Sequence, residues 1–375
     1  MIAAEDLLPR PLAALAWLAC IAGAACGAPT DASRARAVVS VTPSSTTLRV
    51  GERIALHLAV VSGAGDTLRT PVRWSSSDTA VARVDTTGRV VGMAAGDATI
   101  TASTDAGSVS ASLGVRGLPF GPFHLPASLF GQSLPTGFTG VLRAPTPDSV
   151  LAMLDSARSR HLRIVLRLVR GRQRFQNADS SFSLALWKVE VDRFRGIDFA
   201  PYVRDGTVIG HSLMDEPEDP TNWGGRGIAY PVLDSAAEYS KELWPEMPAG
   251  VYSPPSLIEG GAPYRFVDFA FAQYTVEKGD IDAWLRNEVS LARRMGIGLQ
   301  LSLNVLVGGT NGAAMTPQQL ERYGATLASE PYACALLMWK YDVHDPSYFE
   351  DPDVLAAADS VGRVAATNPG RGCGR

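Results

Sequence analysis

From Ala37 to Val115 apolar and polar residues alternate with a period of two. Ile54-Ala-Leu-His-Leu-Ala-Val60 is the clearest run. Val39-Ser-Val41, Val72-Arg-Trp74, Val81-Ala-Arg-Val84, Gly96-Asp-Ala-Thr-Ile-Thr-Ala102 and Val109 to Val115 repeat the pattern. Gly and Asp punctuate the runs at intervals of roughly 8–12 residues, which predicts short antiparallel strands packed as a β-sandwich. After the compact linker Arg116-Gly-Leu-Pro119 the pattern changes. Mostly apolar runs now alternate with one-face helical stripes. The predicted strands are Phe123–Ser128, Gly140–Ala144, Arg163–Val169, Val208–Met214, Ala249–Ser253, Val267–Tyr274, Gly298–Asn304 and Cys334–Tyr341. Helices are predicted over Pro147–Arg160, Leu184–Arg195, Val232–Leu243, Ile281–Met295, Pro317–Ser329 and Pro352–Thr367, the last two N-capped by Thr316 and Asp351. Eight apolar strands, each buried on both faces, predict an α/β (β/α)8 TIM barrel over residues 120–375. An open doubly wound sheet is the alternative, disfavoured because no Gly-rich phosphate loop follows the first strand.

Composition changes this picture little. The chain has 375 residues, 46% of them hydrophobic and 19% charged, with a net charge of −4. That balance argues against a nucleic-acid partner or an anionic membrane surface. Only four of the 34 basic residues are Lys, so a single Arg says little about a site. The N-terminus adds more. Arg10 precedes the apolar run Leu12 to Ala25, followed by Cys26-Gly27, which predicts an export signal over residues 1–26. Gly23-Ala24-Ala25-Cys26 is similar to a bacterial lipobox, so Cys26 is the expected lipidation site, with plain secretion the alternative. Any contact with a membrane would come through that lipid. Cys334 and Cys373 are then the two cysteines of the mature chain and are expected to form a disulfide near one rim of the barrel.

A barrel of this kind places its site where the strands end. The fourth strand is the most informative, because it terminates in Asp215-Glu216-Pro217. A carboxylate at a barrel mouth is partly desolvated, which raises its pKa and suits it to general acid work. A solvent-facing turn is the bland reading of the same tripeptide. Other strand ends offer Arg143, Arg167, Tyr252, Gln273, Tyr274, Asn304, Trp339 and Asp342. His211 reads as a satisfied core histidine, and Trp223 with Gly224–Gly227 as either a sugar subsite or a loop. No metal-ligand spacing, cofactor motif or serine-hydrolase elbow occurs, so neither metal nor cofactor is expected.

Two resemblances sharpen these expectations. Leu48-x-Val-Gly51, Trp74-Ser-Ser-Ser-Asp78, Val81-Ala82, Gly88-x-Val90 and Ala95-Gly96-x-Ala-Thr-Ile-Thr-Ala102 closely resemble the bacterial Ig-like group 2 family over residues 37–115. This implies an Ig-like sandwich acting as a stalk or spacer in a surface protein. Asp215-Glu216-Pro217, Tyr274 and Trp339 resemble the retaining (β/α)8 glycoside hydrolase superfamily. There a Glu ending strand four is the acid/base, an aromatic on strand six supports the nucleophile, and a Trp ending strand eight underlies the sugar. The resemblance implies Glu216 as acid/base, with Arg143 or Arg167 as substrate ligands. One departure is serious: that superfamily's nucleophile is a Glu ending strand seven, and no Glu lies between Glu288 and Glu321. Asp342 is the best substitute, with Asp345 next, and Asp215 itself could serve. The expected function is therefore an exported glycoside hydrolase acting on a carbohydrate. The alternative is a non-catalytic glycan-binding protein on a degenerate hydrolase barrel.

Overall fold

The computed structural model describes residues 37–130 and 138–375. The predicted export signal and Cys26 lie outside them.

The first domain is a β-sandwich. One sheet orders the strands Ser45–Arg49, Gly107–Arg116, Gly96–Thr104 and Arg73–Ser76. A three-stranded sheet faces it, ordered Arg53–Ala55, Arg89–Gly92 and Ala82–Val84, and Val38–Thr42 pairs antiparallel with His57–Val61. The inward positions, among them Leu48, Leu56, Val90, Ile100, Leu113 and Val115, form one core against which Trp74 packs. Gly88 has φ +82°, and a Cβ there would come within 2.8 Å of the Trp74 ring, so the turn requires glycine.

The second domain is the expected barrel. Its strands are β1 (Phe120–Pro122), β2 (Gly140–Arg143), β3 (Arg163–Arg167), β4 (Val208–Asp215), β5 (Ala249–Tyr252), β6 (Phe269–Tyr274), β7 (Gly298–Leu303) and β8 (Ala333–Met338). Neighbours pair in parallel in the order β1-β8-β7-β6-β5-β4-β3-β2, and a bridge from Phe123 to Leu142 joins the two ends. The six predicted helices are present, and both Thr316 and Asp351 accept N-cap hydrogen bonds. Between β5 and β6 the connection holds only the short turns Pro255–Ile258 and Glu259–Gly261. The first strand lies earlier than its apolar pattern suggests. His124 at φ +64° turns the chain, and Ser128 falls in the 3₁₀ turn Ala127–Leu129.

Two layers of side chains follow from strand alternation. Phe123, Leu142, Val165, Tyr252, Phe269 and Leu337 pack inside the barrel, joined by Phe271 and Trp339. The intervening residues, such as Val141, Leu166, Ala270 and Leu336, pack outward against the helices. Trp187 on the helix Leu184–Asp192 is fully buried in that outer layer, and its indole N–H donates to the carbonyl of Leu213 at 2.8 Å.

At the strands' N-terminal face the sandwich and the barrel meet. Ala95 N–H donates to the Ala366 carbonyl and Leu118 N–H to that of Ala365. His161, in the turn before β3, lies 2.7 Å from Arg116 and 2.9 Å from Asp97. The same face carries the Cys334–Cys373 disulfide, which closes a segment of 39 residues and ties down the chain after the last helix. Loop-closure entropy assigns such a crosslink about 4 kcal/mol. Reduction is accordingly expected to lower the denaturant midpoint clearly relative to the oxidised protein, and an unchanged midpoint would show that other contacts alone hold the tail. No helix among the described residues is long and apolar enough to cross a membrane.

Candidate active site

The inward alternation that fills the barrel continues upward into polar residues. Val165 is followed two positions on by Arg167, Phe271 by Gln273, Gln300 by Ser302, and Leu337 by Trp339. On β4 the pairing register shifts between Ser212 and Asp215. Leu213 and Met214 both join the outer core, and Asp215 then pairs with Tyr252 at the inner rim. The bulge thus re-aims the strand's last carboxylate.

Asp215 sits 3.4 Å from the Arg167 guanidinium. Burial pushes its pKa up; Arg167 and Arg172 oppose the rise and Glu216 adds to it, leaving the carboxyl above its ordinary range. Glu216 follows at φ +48°. Its carboxylate accepts from Asn222 at 2.8 Å and lies 3.7 Å from Arg172, while Trp223 donates to its backbone carbonyl at 2.8 Å. Its side chain is 55% exposed, against 30% for Asp215, so Asp215 is the more enclosed of the two. Glu218, which the sequence reading missed, is also pushed up by burial.

The opposite wall behaves differently. β8 lies four places from β4 around the barrel, directly across the mouth. Beyond it Asp342 accepts the His344 N–H at 3.0 Å and pairs with Lys340 at 3.0 Å. Those two contacts, the backbone N–H first, hold its carboxyl below the ordinary range. Asp345 is instead occupied by Ser347.

The remaining wall is neutral and polar. Asn304 donates to Gln273, which donates to Ser302, at 3.3 and 3.4 Å. Where the superfamily pattern would put a carboxylate on β7, an amide and hydroxyl ladder stands. Tyr252 lies below, with 3% of its surface exposed, its ring tilted against Phe271 at 4.5 Å. Burial pushes its hydroxyl pKa up. Trp339 meets Phe123 and His124 edge-on, each at 5.6 Å. Arg143 donates to the His124 carbonyl at 2.9 Å.

Tyr274 is not brought to this group. It alternates outward from Gln273, is 1% exposed, and packs on Trp284 and Tyr323 of the surrounding helices. Its hydroxyl donates to the Gly279 carbonyl. An aromatic that supports a sugar or a nucleophile must face the mouth, and this one faces the helical layer. Trp223 is a buried wedge against Phe175 and Phe182, and buttresses Glu216 from behind. His124 had no signal in the sequence, since only the positive φ after β1 turns it toward the mouth. Among the described residues no cluster of His, Cys, Asp or Glu could hold a metal ion.

Two histidines give the fold an acid-sensitive component. His124 is pushed down to about 4, chiefly by burial and then by Arg167, Arg143 and Lys340. His211 is pushed down to about 3 by burial and by Lys241. It is a core histidine, packed against Trp244, but neither ring nitrogen has a hydrogen-bond partner. A base whose folded pKa lies below its unfolded value, 6.5, takes up protons preferentially when unfolded. Stability is therefore full above pH 6.5 and falls as pH drops toward 4. Urea midpoints at pH 7 and pH 5 should differ, and the difference should shrink in a folded His211→Phe variant. A difference of the same size in both proteins would clear His211 of this role.

Comparison with known proteins separates the two domains. Residues 37–115 match the family of bacterial Ig-like domains (group 2). Domains 4 and 5 of the S-layer protein SbsC are 20% identical over 21% of this chain, with a TM-score of 0.20. The match spans half of that fragment's length. A Bacteroides fragilis protein described as a candidate alpha-galactosidase/melibiase is 10% identical, with a TM-score of 0.44, over 88% of this chain and 79% of its own. An FMN-binding beta-glucuronidase of Faecalibacterium prausnitzii is 12% identical, with a TM-score of 0.40, over 82% of this chain and 55% of its own. No curated protein matches the sequence. The chain thus carries an Ig-like module over residues 37–115, followed by an eight-stranded parallel (β/α)8 barrel. The module and the disulfide fit an extracellular or cell-envelope protein.

Proposed function

We propose that the barrel is a glycoside hydrolase of the cell envelope or exterior, with the acid on β4 and its partner beyond β8. The observation that carries this reading is the opposed environments of Asp215 and Asp342. One is pushed up by burial and the other held down by a backbone N–H and Lys340, the first ending β4 and the second lying beyond β8, the strand opposite β4 around the barrel. Carboxyl groups driven apart in this way divide the work of acid and base. Asp215, whose burial favours the protonated form, gives a proton to the leaving glycosidic oxygen. Asp342 stays ionised and acts on the anomeric carbon, directly or through water. Glu216, beside Asp215 and steadied by Asn222 and Trp223, is the second carboxylate of the acid pair. Trp339 offers a flat face for the sugar's apolar C–H groups.

The test is product release from a panel of polysaccharides, with reducing ends as the readout. Release by the wild type that disappears in Asp215→Asn supports the reading. A specific observation favours a second reading, glycan binding without hydrolysis: the Gln273–Ser302–Asn304 ladder stands where a β7 carboxylate would. Saturable binding with no product after long incubation would favour that reading.

A further inference from the structure

One corner of the mouth gathers positive charge around Trp339. Arg143 ends β2, Arg167 ends β3, Arg170 follows it and Lys340 follows β8. Arg167, Arg143 and Lys340 all act on the one imidazole of His124, which packs against Trp339, while Asp342 opposes them. Two of the three cations have a carboxylate at hand: Arg167 has Asp215 at 3.4 Å, and Lys340 has Asp342 at 3.0 Å. Arg143 has none among the described residues. Its Nη1 donates to the His124 carbonyl, its buried Nε has no hydrogen-bond partner, and the charge acting on it is a second guanidinium, Arg170. A partly desolvated guanidinium beside another cation, with a donor left over, lacks its anion.

We propose that this corner is a subsite for a negatively charged sugar, a uronate or a sulfate ester, whose anionic group is held by Arg143 while its ring lies against Trp339. The proposal rests on the reading of the mouth as a carbohydrate site. The planar guanidinium fork matches the paired oxygens of a carboxylate or sulfate, and the match is strongest where water is scarce. Lys340 and Arg167 flank the anion and add to the positive field around it, each with a carboxyl group of its own within reach. His124 is uncharged at neutral pH, so it adds a hydrogen-bonding edge rather than a further cation. A neutral sugar would leave Arg143 as bare as it is now. The chain as a whole carries a net charge of −4, so a polyanion gains nothing from the protein's overall field, and any preference for one must be local.

Affinity electrophoresis of the full chain against polygalacturonate, carrageenan and neutral dextran tests this. The expected result is retardation by polygalacturonate or carrageenan at roughly tenfold lower concentration than by dextran, weakening at high salt. The polymer that retards more strongly distinguishes carboxylate from sulfate. Arg143→Gln, shown to be folded by circular dichroism, should lose that preference, and Arg143→Lys should keep part of it. If Arg143→Gln fails to fold, Lys340→Gln should still lower the retardation by the anionic polymers severalfold and by more than it lowers that by dextran. Equal or stronger retardation by dextran, or an undiminished preference in the folded variants, overturns the proposal and leaves the carbohydrate reading intact. Retardation by none of the three overturns the anionic subsite and removes support from the carbohydrate reading as well.

Discussion

Asp215→Asn should cut turnover of a cleavable glycan about a thousandfold, the middle of the range for loss of a general acid. The amide is nearly the same size and keeps a hydrogen-bond acceptor for Arg167, but has no proton to give at the required pKa. The β4 rim should therefore keep its shape, and circular dichroism of the variant should match that of the wild type. Glu216→Gln should cost less, roughly ten- to a hundredfold, because the group is more exposed and acts beside the donor. Initial rates across pH give a second readout. The wild-type rate should fall on the alkaline side as the raised Asp215 proton is lost, and that limb should vanish in the Asn variant. Unchanged turnover in Asp215→Asn would move the donor elsewhere. A larger loss in Glu216→Gln would reverse the roles within the pair.

Trp187→Ala should be among the most damaging changes to stability, at about 4 kcal/mol. The ring is fully buried between its helix and β4, so truncation leaves a large cavity in a layer that cannot close over it. It also strands the Leu213 carbonyl, which the indole N–H satisfies at 2.8 Å. Trp187→Phe, which fills most of the space but lacks the donor, should fall between the two. Chemical denaturation of the three proteins checks the order. Because Leu213 sits at the bulge that turns Asp215 inward, Trp187→Phe should, on the proposed hydrolase reading, also lower the turnover rate of the folded protein more than its affinity for a glycan. A midpoint for Trp187→Ala equal to the wild type would contradict the packing described.

Much of the architecture was legible from periodicity. A period of two with glycine turns predicted the sandwich, and apolar runs alternating with one-face stripes predicted eight strands and six helices, all but the first strand close to their observed bounds. The pairing of Cys334 with Cys373 was also legible, because Cys334 opens the last strand and Cys373 follows the last helix, which returns the chain to the same rim. The site was less so. Alternation gives a strand two faces but does not say which faces inward near its end, so Gln273 and Tyr274 were equal candidates until the helices showed which one they cover. On β4 a bulge breaks the alternation altogether, and pattern alone could not foresee that Asp215 would be more enclosed than Glu216. His124 and the Trp223 wedge depend on a left-handed backbone turn and on a loop folding back across the rim. Neither leaves a periodic trace.

The sandwich, the disulfide and the tail share one end of the barrel, and a recess of about 1110 Å³ between module and barrel also lies there, on the far side from the polar mouth. The sandwich therefore holds the barrel by its base, as a handle holds a cup. A long polymer can lie across the open rim without threading past the mount. Further modules added in front of residue 37 would change how far the cup reaches, and not what fits inside it.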